Sequence, residues 1–375
     1  MTRSAAGVSA DEFEGFRVEP WLDWLGGIVA RWPGLWRRLG EFETQRLSTA
    51  LDEIEIRVPI FVCGLARSGS TILLESLSRH PDTATHHYRD YPGVLAPVFW
   101  DRVAGRLYAG SGTARERAHG DGIAVTADSP EAIEEMLWMA FHPDCHDPTR
   151  DNRMAIGDVA PGFAGFYRDH IRKLLWLRRG RRYLSKGNYN LPRMAALLAM
   201  FPDARFIVPL RGPIAHVASL MQQHALFAAA ERRHPAALRY MQRVGHFEFG
   251  LDRRPLNLGD AAATDEVQRL WREGREVEGS SLYWAAVHRF LADLLEQDAR
   301  LRAATLLVRH EELTAAPGAV LERIFAHAGL ETDPVSISEL AARIHPPRGR
   351  GPALALETQQ AIRRLTADAA RRFGY

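Results

Sequence analysis

Residues 63–71, CGLARSGST, place Gly64 and Gly69 five apart, with Arg67 and the hydroxyls of Ser68, Ser70 and Thr71 around them. The apolar run VPIFV stands just before. A small Gly- and Ser-rich turn between a strand and a helix aims backbone N–H groups and the helix N-terminus at one point, which suits a phosphate. In the nucleotide-hydrolysing form of such a loop, G-x-x-x-x-G-K-[ST], a lysine follows the second glycine to reach the terminal phosphates. Here Ser70 stands in that place, and the cation has moved back to Arg67. The expected ligand is therefore a phosphorylated nucleotide other than one held for triphosphate chemistry.

A second anion signal lies at 205–219, RFIVPLRGPIAHVASL. The pattern predicts a strand ending near Arg211, a turn at Gly212-Pro213 and a helix opening with proline in its first turn. Arg211 at the strand's carboxyl end and Ser219 eight residues on could meet one phosphate at the mouth of a sheet. Of 48 basic residues only Lys173 and Lys186 are lysines. Lys173, in IRKLLWLRR, reads as a surface-helix residue with no special role. Lys186, in YLSKGNYNLP, follows a β-like run and precedes a helix, where an active-site ammonium of an α/β sheet would lie.

Further elements must position these groups. Strands are expected at 58–63, 181–185, 204–210 and 304–309, separated by helical patterns, which argues for a parallel sheet with helices on both faces. Pro209 is expected to mark where its strand leaves the sheet. Residues 130–141 and 281–295 read as helices, the first opening at Pro130. Residues 1–50 read as a helical extension interrupted at Pro33-Gly34, and 225–280 as an irregular polar insertion able to cover a pocket. The whole chain, 1–375, is read as a single domain.

Composition is that of a soluble globular protein, 46% hydrophobic and 25% charged. A formal net charge of +2 gives no warrant for nucleic-acid binding. No apolar run is long enough for a membrane span, and the N-terminus lacks a signal core, so a cytoplasmic location is expected. Two cysteines, Cys63 and Cys145, make no disulfide framework. His142, Cys145 and His146 in HPDCHD have no recognised metal-ligand spacing, so no metal is expected there and the segment reads as a loop at an acceptor pocket. Tyr88, Tyr91, Phe99, Trp100, Trp138 and Phe141 either line that pocket or belong to the core. Glu311 and Glu312 read as braces for a helix or a neighbouring arginine. No oligomeric state is legible.

The two anion elements together resemble the sulfotransferase superfamily, whose donor is 3′-phosphoadenosine 5′-phosphosulfate (PAPS). That family grips the 5′-phosphosulfate with a loop of the form G-x-x-R-S-G-[ST]-T, which Gly64, Arg67, Ser68, Gly69, Ser70 and Thr71 match. It reads the 3′-phosphate with R-[DNG]-P-x5-S, matched by Arg211, Gly212, Pro213 and Ser219. LLVRHEEL at 306–313 looks like the family's "vrYEdL" strand end, with His310 where tyrosine is usual. PPRGRG at 346–351 looks like its late basic loop and nominates Arg348 and Arg350 for the 3′-phosphate. The resemblance covers most of the chain outside residues 1–50 and 225–280. It implies a P-loop-like α/β fold. It also implies transfer of a sulfuryl group from PAPS to a hydroxyl, or an amine, of a small-molecule or glycan acceptor by in-line displacement, with no metal required. Arg67, Lys186 and the loop N–H groups would neutralise charge on the departing 3′,5′-ADP. A general base is also needed. Where a close branch of the family has a glutamate about twenty residues beyond the loop arginine, this chain has THHYRDYP. His87 and Asp90, singly or as a pair, are the candidates, with a base from elsewhere left open. The rival readings are a nucleotide-dependent kinase or other phosphotransferase, and a non-catalytic nucleotide-binding protein on the same fold.

Overall fold

The structure, a computed structural model, describes residues 10–108, 115–116, 124–345 and 354–375. A five-stranded sheet runs through its centre. The strands are β1 (Ile60–Val62), β2 (Thr83–Ala84), β3 (Arg182–Lys186), β4 (Arg205–Leu210) and β5 (Thr305–Arg309). Their order is β2-β3-β1-β4-β5, and every pairing is parallel. Most of the remaining chain is helical, so this is the α/β architecture with a central parallel sheet that the alternation of patterns predicts. β2, only two residues long, carries too short a signal for such a reading.

The side-chain period of two divides β1 between two cores. Ile60 and Val62 face one side with Leu184, Ile207 and Val308. There Leu73, Leu74 and Leu77 of α1 (Ser70–Ser78) and Ile324 and Phe325 of the helix Pro317–Ala328 cover them. Phe61 and Cys63 face the other side with Tyr183, Phe206 and Val208. The helix Phe163–Arg178, α2 (Pro213–Arg233) and α3 (Glu276–Gln297) close that face. Covered on both faces, β1 and β4 read as continuous apolar runs, which is why they were legible.

Pro209 does not end its strand. β4 continues to Leu210, with Pro209 opposite Val308 and Leu210 opposite Arg309. In a parallel strand residues two apart bond to the same neighbour, and the Ile207 carbonyl accepts from Cys63 N–H on the β1 side. Pro209 would look to the same side, where β1 has already turned away at Gly64, so its missing N–H costs no ladder bond.

The N-terminal helical stretch is interrupted as expected: one helix, Pro20–Arg31, ends just before Pro33, which opens the next, Pro33–Asp52, as suits a first-turn proline. Other expectations shift. The first helix beyond Pro130 starts at Glu135, while Pro130 itself bridges to His87. Residues 225–280 are mostly helical, in the end of α2, Pro235–Val244, Ala261–Arg272 and the start of α3. The long irregular stretch there lies between Val244 and Ala261. No helix among the described residues is long and apolar enough to cross a membrane.

Lys173 is the largest correction. It lies in the core, 1% exposed, with its Nζ 3.1 Å from Glu43 Oε2 and donating to the Gly40 carbonyl at 2.6 Å. Glu43 Oε1 accepts the Phe99 N–H at 2.5 Å, so the pair ties the N-terminal helix to the domain. Burial pushes the Glu43 carboxyl up and the Lys173 ammonium down, so desolvation outweighs the mutual attraction. Such a pair adds little net stability, yet removing one partner strands a charge at a cost of about 3–5 kcal/mol. Urea denaturation of Lys173→Met is expected to show that loss, with most of it recovered in the double variant Lys173→Met/Glu43→Leu. Equal loss in single and double variants would refute the account.

Candidate active site

The loop after β1 is shaped by backbone demands that the glycines meet. Gly69, with φ +109°, caps α1, and a Cβ there would lie 3.0 Å from His310 Nδ1. Gly64, with φ +156°, passes so close to β4 that a Cβ would meet the Pro209 carbonyl at 3.3 Å. Arg67 itself holds a left-handed φ of +69°, a conformation that costs a non-glycine residue about 1–2 kcal/mol. Strain at a ligand loop is sustained by its surroundings.

Those surroundings bring the two anion elements together. Arg67 Nε donates to Ser219 Oγ at 3.3 Å, and Arg211 Nη1 donates to the Arg67 carbonyl at 3.2 Å. Residues separated by 152 and 144 positions thus meet at the carboxyl edge of the sheet. Burial and the nearby Arg67 charge both press the Arg211 guanidinium below its usual range, offset in part by Glu311. Two arginine charges that feel one another favour an anion between or beside them. Ser68 is fully buried with its Oγ unpartnered, Ser70 is buried in the first turn of α1, and Thr71 faces the neighbouring cleft. Arg348 and Arg350 lie outside the described residues.

Glu311 and His216 brace this cradle, and His310 packs against its second glycine. Glu311 Oε1 accepts the Gly212 N–H at 2.8 Å and its Oε2 accepts the Tyr375 hydroxyl at 2.9 Å, the bracing task expected of it. His310, beside Gly69, has both ring nitrogens buried and unpartnered; burial, then the charge of Arg211, lowers its imidazole to about 4. His216 was missed by sequence reasoning, although it sits between Pro213 and Ser219. The Trp284 indole N–H donates to His216 Nδ1 at 3.1 Å, which puts the ring proton on Nε2, and Nε2 donates to the Ala66 carbonyl at 2.8 Å. His288 stacks on Trp284 at 3.7 Å and donates from Nδ1 to its carbonyl at 2.7 Å. A buried chain from α3 through α2 therefore fixes the loop's backbone.

Lys186 ends β3 opposite Val62, on the other side of β1 from Arg211. The site so straddles β1 where the chain crosses from β3 to β4, the switch point at which α/β sheets bind ligands. Lys186 lines a small cleft, partly open to solvent, together with Thr71 and Glu75 from α1 and His246 and Glu248. The presumed insertion thus supplies a wall of the cleft.

The candidate bases are placed elsewhere. Asp90 is 1% exposed and ion-paired with Arg178, and its other oxygen accepts the His87 N–H at 2.8 Å. Burial, then Arg178, lowers His87 to about 4. Neither lines the cleft beside Lys186, whereas Tyr88 between them does. Tyr91, Trp100 and Trp138 are core residues. The HPDCHD segment packs behind the cleft. Glu135, Cys145 and His146 come within 4.8 Å of one another, but the Arg193 guanidinium grips Glu135 through both oxygens at 2.7 and 2.8 Å. That cation occupies the carboxylate a metal would need.

Residues 59–253, just over half of the chain, match the profile of the sulfotransferase family. The fold is similar to that of sulfotransferase STF9 from Mycobacterium avium, with TM-score 0.54, 14% identity and cover of 98% of this chain and 93% of that one. It is also similar to sulfotransferase STF1 from Mycobacterium tuberculosis, with TM-score 0.52, 16% identity and cover of 96% and 89%. No curated protein matches the chain. By its profile match the chain belongs to the sulfotransferase family.

The bracing histidines carry a sign for pH. Burial holds His216 well below 6.5 and His288 at about 4, so both stay neutral in the folded state while the unfolded chain protonates near 6.5. Protons then favour the unfolded state, and stability falls as pH drops from about 6.5 toward 4. Each histidine contributes a slope approaching about 1.4 kcal/mol per pH unit. Urea unfolding at pH 7, 6 and 5 should show this slope, shallower in His288→Phe, and a flat profile would contradict it.

Proposed function

We propose that this chain, acting as one domain, transfers a sulfuryl group from PAPS to a hydroxyl, or an amine, of a small-molecule or glycan acceptor. The observation that carries the reading is the convergence of Arg67, Arg211 and Ser219 from two distant elements onto one edge of the sheet. A ligand with an anion at each end matches that pairing. The 63–71 loop and the N-terminus of α1 would hold the 5′-phosphosulfate, and Arg211 with Ser219 the 3′-phosphate, joined in the late loop by Arg348 and Arg350.

The chemistry asked of the residues is alignment and charge compensation. An acceptor oxygen in the Lys186 cleft would attack sulfur from the side opposite the bridging oxygen. As the sulfur–oxygen bond to the 5′-phosphate breaks, negative charge gathers on that phosphate. Lys186, Arg67 and the loop N–H groups would meet it there. Ser70, in the place of a P-loop lysine, disfavours the kinase alternative, and membership of the sulfotransferase family supports PAPS as the donor.

Calorimetric titration tests the donor assignment without an acceptor. The expected result is tight binding of 3′,5′-ADP, indifferent to Mg²⁺, with ATP·Mg²⁺ much weaker. Arg211→Ala should weaken 3′,5′-ADP by about 10- to 150-fold, the worth of a hydrogen bond to a charged group. A preference for ATP·Mg²⁺, or indifference to the loss of Arg211, would sink the proposal.

A further inference from the structure

We infer that the outer face of three helices, Pro20–Arg31, Pro33–Asp52 and Pro97–Leu107, docks on the surface of an anionic lipid bilayer without crossing it. Three observations carry this: where the exposed apolar side chains lie, what stands between them, and where the carboxylates of the same helices have gone.

Single exposed apolar residues are ordinary on a protein surface, whereas a contiguous group marks an interaction site. Seven of the twelve large apolar side chains exposed among the described residues fall on these helices or on the joint at Trp32. Ring contacts and helical spacing connect them. Phe42 meets Phe99 at 6.2 Å, and Phe99, Val103 and Leu107 follow at four-residue steps along one side of their helix. Tyr108, directly after, meets Trp21 at 5.8 Å, and Trp24 lies about one turn beyond Trp21 with 69% of its surface exposed. On Pro33–Asp52, Leu35 and Phe42 lie about two turns apart on the exposed side. The other sides of these helices belong to the core, where Val29, Leu51, Trp100 and Ala104 are buried.

Arginines stand between the apolar groups. Arg38 and Arg46 share the side of Leu35 and Phe42, with Arg46 Cζ 5.1 Å from the Phe42 ring centre. Arg102 and Arg106 run beside Val103 and Leu107, and Arg31 ends the first helix. All five are exposed, and none pairs with a carboxylate among the described residues.

The acids of these helices are turned the other way. Glu43 is sealed against Lys173. Asp23 is held by Arg239 at 2.5 Å and Arg243 at 2.7 Å, and Asp101 by Arg89 at 3.1 Å and Arg178 at 3.2 Å. Glu41 and Asp52 stay exposed, about a quarter turn round from Phe42. With acids drawn inward and arginines left outward, the face carries an uncompensated positive charge.

That pattern selects its occupant. Tryptophan settles at headgroup depth, and arginine stems lie along the apolar boundary while their heads reach lipid phosphate. Anionic lipid attracts each such arginine. A second copy of this chain is a poor match. A two-fold contact sets the face against itself, arginine on arginine, with most of its carboxylates already engaged.

Flotation of full-length protein with lipid vesicles tests the inference. It needs neither donor nor acceptor, so the sulfuryl-transfer reading stands or falls separately. The protein is expected to float with phosphatidylglycerol–phosphatidylcholine vesicles and to stay behind with pure phosphatidylcholine, and salt at about 1 M should release much of it. Trp24→Ser/Phe42→Ser should lower partitioning about 10-fold or more. Arg38→Gln/Arg102→Gln/Arg106→Gln should lower it about 100-fold. These side chains are exposed, so melting temperatures should stay near that of wild type. Arg363→Gln/Arg364→Gln, on the helix Leu356–Arg372 packed against α2 and α3, should leave binding unchanged. No flotation with anionic vesicles, equal flotation with both lipids, or equal binding by all variants overturns the inference. A concentration-dependent dimer in sedimentation that Trp24→Ser/Phe42→Ser dissolves, with no vesicle binding, also overturns it and assigns the face to a second copy.

Discussion

The contact between Arg67 and Arg211 governs this molecule. At the edge of a sheet the Arg211 guanidinium donates to the Arg67 carbonyl and feels the Arg67 charge, offset in part by Glu311. Like charges in a partly desolvated place repel, so the arrangement persists only because the backbone around it leaves neither arginine another position. Parallel pairing of β1 with β4 sets the distance between the two segments. Gly64 lets them touch, and the His216–Trp284 chain holds the loop carbonyls in place. An anion seated there would relieve the repulsion, which is how a rigid scaffold can become a selective binder.

The second half of the site follows from the same strand order. β1 lies between β3 and β4, so a group at the end of β3 and a group at the end of β4 must flank the loop after β1. Lys186 and Arg211 occupy those places. The region after α2 then folds over the β3 side and contributes His246 and Glu248 to the cleft wall.

The legible parts of the sequence were those governed by local rules. β1 and β4 are apolar runs because the sheet is covered on both faces, and the loop glycines announce backbone needs that glycine meets most readily. Arg211 and Ser219 were legible from their fixed relation to Pro213. What escaped depends on contacts distant in sequence. Lys173 looks like one cation of a basic helix until Glu43, 130 positions earlier, is folded against it. His216 reads as an ordinary residue of an amphipathic helix because its partners are a backbone carbonyl and a tryptophan on α3. The THHYRDYP segment offered the right residue types near the loop, yet Arg178 claims Asp90. His246 and Glu248 lie in a stretch whose polarity suggested a cover but not its contents.

One consequence follows from the fates of the two lysines. Of the two ε-amines in the 375 residues, that of Lys173 is sealed at 1% exposure and that of Lys186 is half-buried at the cleft. Amine reagents would therefore reach Lys186 well before Lys173. A mild amine-modifying label would act as a one-site reporter seated at the end of β3, inside the very cleft whose occupancy one would wish to follow.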